Sequence, residues 1–477
     1  MRRIALVLVF GLTACQRGPS SADPQLVAQW LRSSLSFVRS ERLGPPVASR
    51  ISAYASLALF EGYAADPASG LRSLGGQLNG WTAPAAPTVP VDGAVIAAVA
   101  SRIVMDSLFR DGFAATRRTV DSLSAAQVEA RVAAGVSEAV RTASESHGQQ
   151  LAAALLGWAA TDGFFETRKR TWDAPTTRDT WQNTSTPDQL VPIQLSGETD
   201  IVMPSNPGVA MDLERAGERF VLTNRPKNAA GTTLPTFNPV RPTEPYWGTL
   251  RPFVLRDGDE CAAPPPPTYS EKPGTPFYAM GRAFADTMAV LDSVRRNIAL
   301  FWADNPVATG TPGFHWISVV NQMIARRGLT AAGAVELYTL TSLAIADAFI
   351  GCWKEKYRSM VVRPVAWMQR VIDPRFTTVI PTPPFPEYTS GHSVQSGAAV
   401  QVLKALVGDT VAFVDSTQVD VGQPPRPFAN FTAALNEVAV SRIYAGVHYV
   451  PAVVDGVTQG VCIGDRVITR LKTRTAP

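Results

Sequence analysis

The chain has 477 residues, 45% hydrophobic and 18% charged, with mean hydropathy near zero, as in a globular protein of one large domain or two to three ordinary ones. Its net charge is only +4 and no basic tract carries interleaved aromatics, so nothing points to nucleic acid or an anionic membrane surface as a partner. The cysteines and histidines show no CxxC or HExxH spacing, and a zinc or non-haem iron site is not expected.

At the N-terminus, Arg2 and Arg3 precede a short apolar run from Ile4 to Leu12, too short to span a bilayer. The following Leu12-Thr13-Ala14-Cys15 resembles the lipobox of bacterial lipoproteins. That resemblance implies a signal segment over 1–14, lipidation at Cys15 and a lipid-anchored tether over 15–24. Because Gln16 and not Asp follows the cysteine, it also implies the periplasmic face of the outer membrane or the cell surface, with the lipid as the only membrane attachment. Besides Cys15 the chain has Cys261, Cys352 and Cys462; an exported protein permits a disulfide, but spacing does not choose the pair.

Apolar residues recur at helical spacing from about 24 to 64, broken at Gly44-Pro45-Pro46, and again over 91–109 and 125–158, which makes 25–160 an N-terminal helical region. Periodicity is then lost over a loop-rich insertion at 161–246, rich in Thr, Pro, Asn and Asp, where an ordered excursion with a small hairpin is expected. Helical segments return at about 275–303, 312–327, 330–362, 393–406, 431–441 and 452–473 within a second region, 247–477. Strand alternation is scarce, so the fold reads as mainly α, built from packed bundles.

The chemistry concentrates between Trp353 and Asp455 in three clusters. In the first, Trp353-Lys354-Glu355-Lys356 precedes Arg363-Pro364, and a seven-residue separation on a continuous helix would set Lys356 and Arg363 on one face. Two cations held there among apolar neighbours need an anion. In the second, proline-rich 381–386 leads into Thr389-Ser390-Gly391-His392 and a helix-like run, which puts Ser390 near an N-cap, where free amides and the helix dipole bind oxyanions. In the third, Ser441-Arg442 and His448 have a spacing that does not share a helical face, so the chain must turn at Gly446. Three cations, two imidazoles, a hydroxyl and a glycine amide make an inventory for holding a tetrahedral oxyanion.

Lys-x6-Arg-Pro, Ser-Gly-His and Ser-Arg-x5-His, in this order, resemble the type-2 phosphatidic acid phosphatase and vanadium-dependent haloperoxidase superfamily. The similarity runs from about Trp247 to Arg470 and is closest to the soluble haloperoxidase branch, through Trp353-Lys354-Glu355-Lys356 and Pro383-Pro384-Phe385-Pro386-x-Tyr388-x-Ser390-Gly391-His392. The resemblance implies a large helical-bundle fold and a vanadate pocket, which phosphate would also fit. His448 would coordinate the metal; Lys356, Arg363 and Arg442 would neutralise the oxygens; Ser390 and the Gly391 amide would donate hydrogen bonds. His392 would take a proton from hydrogen peroxide and Lys356 would polarise the bound peroxide, whose oxygen passes to a halide to give hypohalous acid; a small organic acceptor would follow. Trp353 and Phe385 would line the halide region, and Asp304 lies near the position of an acid that pairs with the second-cluster histidine.

The chain departs from the family where an acid often follows the third-cluster histidine by four residues: it has Ala452, and Asp455 is the expected substitute. Two further readings use the same pocket. One is an acid phosphatase that forms a phosphohistidine at His448; the other is a surface lipoprotein that binds phosphate without catalysis. His315, in Gly313-Phe314-His315-Trp316, reads more readily as a hydrogen-bonded core histidine than as a group at the substrate rim.

Overall fold

Helices form most of the regular structure in the computed structural model, which describes residues 21–184, 242–305 and 309–475 together with the backbones of four strands between 190 and 223. The expected signal segment and Cys15 lie outside the described residues. The N-terminal region contains α1 (Gln25–Ser40), α2 (Pro45–Ala64), α3 (Gly93–Leu108), α4 (Ala114–Ala133), α5 (Glu138–Ala159) and the single turn α6 (Phe164–Thr167). The second region contains α7 (Pro276–Ala289), α8 (Ser293–Phe301), α9 (Thr311–Arg327) and α10 (Ala331–Ser359). It continues with α11 (Pro364–Val371), α12 (Gly391–Val407), α13 (Phe431–Tyr444) and α14 (Val450–Arg470).

In the insertion, β1 (Leu190–Leu195) and β2 (Thr199–Pro204) form one antiparallel hairpin, and β3 (Asp212–Ala216) and β4 (Arg219–Thr223) form another. A parallel pairing of β2 with β4 joins them into one sheet, larger than the single hairpin expected. Short strands β5 (Phe413–Asp415) and β6 (Arg426–Phe428) pair antiparallel beside the second region.

Local chemistry explains the boundaries that periodicity misplaced. The expected run over 125–158 is two helices, because Gly135 takes φ +104° and Ser137 caps α5 by accepting from the Val140 amide. The run over 275–303 breaks at Val290, after which Asp292 caps α8 through the Arg295 amide at 2.8 Å. Most consequential, α10 stops at Ser359. Met360 adopts φ +49°, a left-handed conformation uncommon for so bulky a side chain, and Arg363 becomes the N-cap of α11. Lys356 and Arg363 therefore do not share a helical face; they converge because the chain reverses between them.

One continuous apolar core runs from Leu26 in α1 to Leu471 after α14, so both helical regions are built on it. Helix α10 is apolar along its length because it is buried inside this core. A disulfide between Cys261 and Cys462 ties the loop before α7 to α14, and Cys352 is a free, buried thiol.

The packing of α14 on α12 sets the site. A Cβ at Gly460 would lie 2.0 Å from the Val394 carbonyl oxygen, and one at Gly456 would lie 3.0 Å from the Ser393 Cβ. Glycine on that face lets the two backbones approach, which brings His448, just ahead of α14, over the start of α12. The substitution Gly460→Ala should destabilise the protein by about 3 kcal/mol, since overpacking against a backbone carbonyl cannot relax by side-chain rotation. Thermal unfolding checks this; a melting temperature equal to that of the wild type would contradict it.

Candidate active site

Lys356, Arg363 and Arg442 converge with at most 1% of their surface exposed. Among the described residues, no carboxylate forms an ion pair with any of them. Backbone carbonyls hold them instead. The Lys356 ammonium donates to Pro386 O at 2.9 Å, Glu387 O at 3.0 Å and Thr389 O at 2.5 Å. Arg363 donates from Nε to Phe385 O at 3.0 Å and from Nη1 to Val447 O at 2.8 Å, and Arg442 donates to Trp302 O at 2.8 Å. Carbonyl dipoles satisfy geometry but cancel no charge. Burial accordingly pulls the Lys356 ammonium down to about 7, Arg363 down to about 10 and Arg442 down to about 9.

Three buried polar atoms in this cluster have no partner: Arg363 Nη2, Arg442 Nε and His392 Nε2. The two guanidinium groups are obligate donors, and unpaired buried donors are costly; together with three buried cations they fit an oxyanion, while His392 Nε2 is the nitrogen that Asp304 approaches. The described residues thus suit vanadate or phosphate. The cleft beside them is lined by His392, Arg442, His448 and Gly391, with an apolar wall of Phe349, Trp353 and Phe385 and a collar of prolines.

The expected N-cap is present. Ser390 Oγ accepts from the Ser393 amide at 3.4 Å, which leaves its own O–H free to donate, and Gly391 begins α12. The turn at Gly446 is also present, with φ +84°, and it carries the chain from Arg442 in α13 back to His448. Trp353 and Phe385 pack with ring centroids 4.9 Å apart, and Phe385 lies under both Lys356 (5.1 Å) and Arg363 (5.0 Å). The Trp353 indole N–H is spent on Thr243 O at 3.0 Å, so this residue offers the cleft its ring and no donor.

The expectation for Asp455 is corrected. Its carboxylate accepts from the Tyr388 hydroxyl at 2.9 Å, and it does not orient His448. The acid at His448 is Glu387, a residue the sequence reading passed over: its Oε1 lies 2.9 Å from His448 Nδ1 and accepts from the Tyr449 amide at 2.9 Å. Its only sequence signal is an acid set inside an otherwise apolar, proline-rich segment. On the other side of the ring, Arg363 Nη1 lies 3.1 Å from His448 Nε2.

Asp304 reaches the second-cluster histidine, with Oδ2 at 3.5 Å from His392 Nε2, an ion-pair distance too long for a strong hydrogen bond. Burial, then the Arg442 guanidinium, lowers His392 to about 4, so it is neutral near pH 7 and can accept a proton. Behind Asp304 stands His315, both a core histidine and a group that touches the site's acid. Its Nδ1 donates to Asp304 at 2.7 Å, its Nε2 donates to Asp415 at 2.6 Å, and its ring stacks on Trp302 at 4.4 Å. Burial opposes its charge, but Asp304 and Asp415 outweigh burial and raise His315 to about 10. No spacing in the sequence announces Asp415.

The flanks of the insertion brace this wall. Thr243 O also accepts from the Tyr357 hydroxyl at 2.7 Å, the Thr243 amide donates to Pro384 O at 2.9 Å, and the Trp181 amide donates to Met360 O at 2.7 Å.

A bacterial vanadium-dependent iodoperoxidase of known structure is 31% identical to this chain, covers 97% of it and 99% of its own length, and superposes with a TM-score of 0.76. The chain belongs to the vanadium-dependent haloperoxidase family. Residues 336–476 match the family description "VCPO second helical-bundle domain". The vanadium chloroperoxidase of Curvularia inaequalis is 26% identical over 279 residues, which are 43% of this chain and 45% of that protein, so the match spans less than half of that curated relative. A bacterial vanadium-dependent chloroperoxidase shares the fold at 16% identity and a TM-score of 0.62, covering 95% of this chain and 98% of its own.

The His315 ion network makes a prediction with a sign. Its folded value of about 10 lies above the unfolded value of about 6.5, so its contribution is complete below about 6.5 and is lost as pH rises through about 10. His315→Gln should cost about 3–5 kcal/mol near pH 6, because it leaves two buried carboxylates without their cation. The gap in melting temperature between wild type and variant should narrow as pH rises toward 10; a gap that widens would contradict the assignment.

Proposed function

We propose that this protein is a vanadate-dependent haloperoxidase that uses hydrogen peroxide and one proton to oxidise halide to hypohalous acid, with water as the second product. The observation that carries the reading is the set of buried cations, without an ion-paired carboxylate among the described residues, around a neutral histidine whose Nε2 faces Arg363. Lys356, Arg363, Arg442, the Ser390 hydroxyl and the Gly391 amide would hold vanadate, with His448 Nε2 as the protein ligand. When bound, vanadate supplies a Lewis-acidic centre that activates peroxide oxygen toward halide.

The chain's own residues do the rest. His392, neutral at pH 7, takes the peroxide proton at Nε2, and Asp304 stabilises the imidazolium that forms. Lys356 places positive charge where negative charge develops, within a site where burial keeps that charge unscreened. Phe349, Trp353 and Phe385 line one side of the cleft with apolar surface. Iodide is the first halide to test, because the structural relative with 31% identity is described as an iodoperoxidase. The Cys261–Cys462 disulfide supports export from a reducing cytoplasm, consistent with lipid anchoring at Cys15.

A phosphatase reading survives on one observation, the Glu387 contact, since an acid that orients His448 would also serve a histidine nucleophile. Calorimetric titration with vanadate, followed by halogenation of a phenolic indicator in iodide and in bromide with peroxide, separates the two. Tight binding with halogenation is expected, and His448→Ala should abolish it. Vanadate binding without halogenation, alongside phosphomonoester turnover by vanadate-free protein, would overturn the haloperoxidase reading in favour of the phosphatase.

A further inference from the structure

We propose that Glu387 is the positioning residue for His448, taking over from a different cluster the role of the acid missing at Ala452. The inference rests on the oxyanion-site reading given above. A guanidinium has no acceptor lone pair, so at the 3.1 Å contact Arg363 Nη1 must donate and His448 Nε2 must accept. The proton of the neutral ring is then on Nδ1, where the Glu387 carboxylate accepts it at 2.9 Å. Arg363 alone permits one role only, and Glu387, raised to about 7 by burial, meets the Nδ1 proton on the opposite edge of the ring. The tautomer is fixed, and the Nε2 lone pair points toward the cations.

The same Glu387 oxygen accepts from the Tyr449 amide at 2.9 Å, so it also fixes the backbone immediately after the histidine. Ala452 is buried, its carbonyl accepts from the Ser390 amide at 2.9 Å, and its methyl offers no acceptor to a histidine. A carboxylate that orients a metal-ligating imidazole commonly raises metal affinity by a factor of about 10 to 100. Here it enters from the loop before α12 rather than from α14, so the residues that cradle Lys356 through Glu387 O also carry the side chain that aligns His448.

Full-length protein labelled with 15N-histidine, with no anion added, gives the first readout. His448 should show a protonated Nδ1 and an unprotonated Nε2; the reverse tautomer in wild type would overturn the proposal without any variant. The second readout is calorimetric affinity for orthovanadate and for inorganic phosphate. Glu387→Ala should weaken orthovanadate by a factor of about 10 to 100 and mix the tautomers, with phosphate, which makes no bond to the imidazole, affected less. Glu387→Gln, whose amide oxygen can still accept both N–H groups, should keep the Nδ1–H tautomer and recover most of the affinity. A Gln variant as weak as the Ala variant, or an Ala variant that binds like wild type, would overturn it. Neither readout depends on halogenation, so an inactive vanadate-loaded enzyme would sink the proposed function and leave this assignment standing.

Discussion

A buried charge must be answered by an opposite charge, by dipoles or by a shifted equilibrium, and among the described residues the three cations at the centre of this protein have no ion-paired carboxylate, only carbonyl dipoles in contact and a downward shift. Six carbonyl groups hold Lys356, Arg363 and Arg442 in place without neutralising them. The result is a preorganised electropositive cavity whose cost is met by the surrounding core. An anion relieves that cost on binding, which is how the site gains affinity from instability that the fold already carries.

The carbonyls that do this belong to non-helical backbone, which a bundle would normally leave at its surface. Here the segment 380–390 is drawn inside because α14 lies so close to α12 that the start of one helix and the approach to the other share a single space. Chain reversals at Met360 and Gly446 then return Arg363 and His448 to the same point. Helices supply rigidity, and the irregular pieces between them supply the chemistry.

Much of this was legible in sequence. Helical periodicity found the bundles, and residue type with order found Lys356, Arg363, Ser390, His392, Arg442 and His448, because oxyanion chemistry needs cations and amides that few other roles require together. What failed was inference from spacing. Lys356 and Arg363 meet through a left-handed residue that no periodicity reveals, and Asp455, one helical turn beyond Ala452, is taken by Tyr388. Glu387 and Asp415 escaped because their partners are 61 and 100 residues away in the chain. A carboxylate alone in an apolar segment was the available clue in one case; in the other the pairing exists only in three dimensions.

The braces at Trp181 and Thr243 carry an evolutionary consequence. Both ends of the stretch between them are fastened to the wall that bears Met360, Pro384 and Trp353, so the chain departs from and returns to one neighbourhood. Such a pinned departure point is a graft site: whatever lies between the pins can lengthen, shorten or be exchanged while the wall keeps its shape.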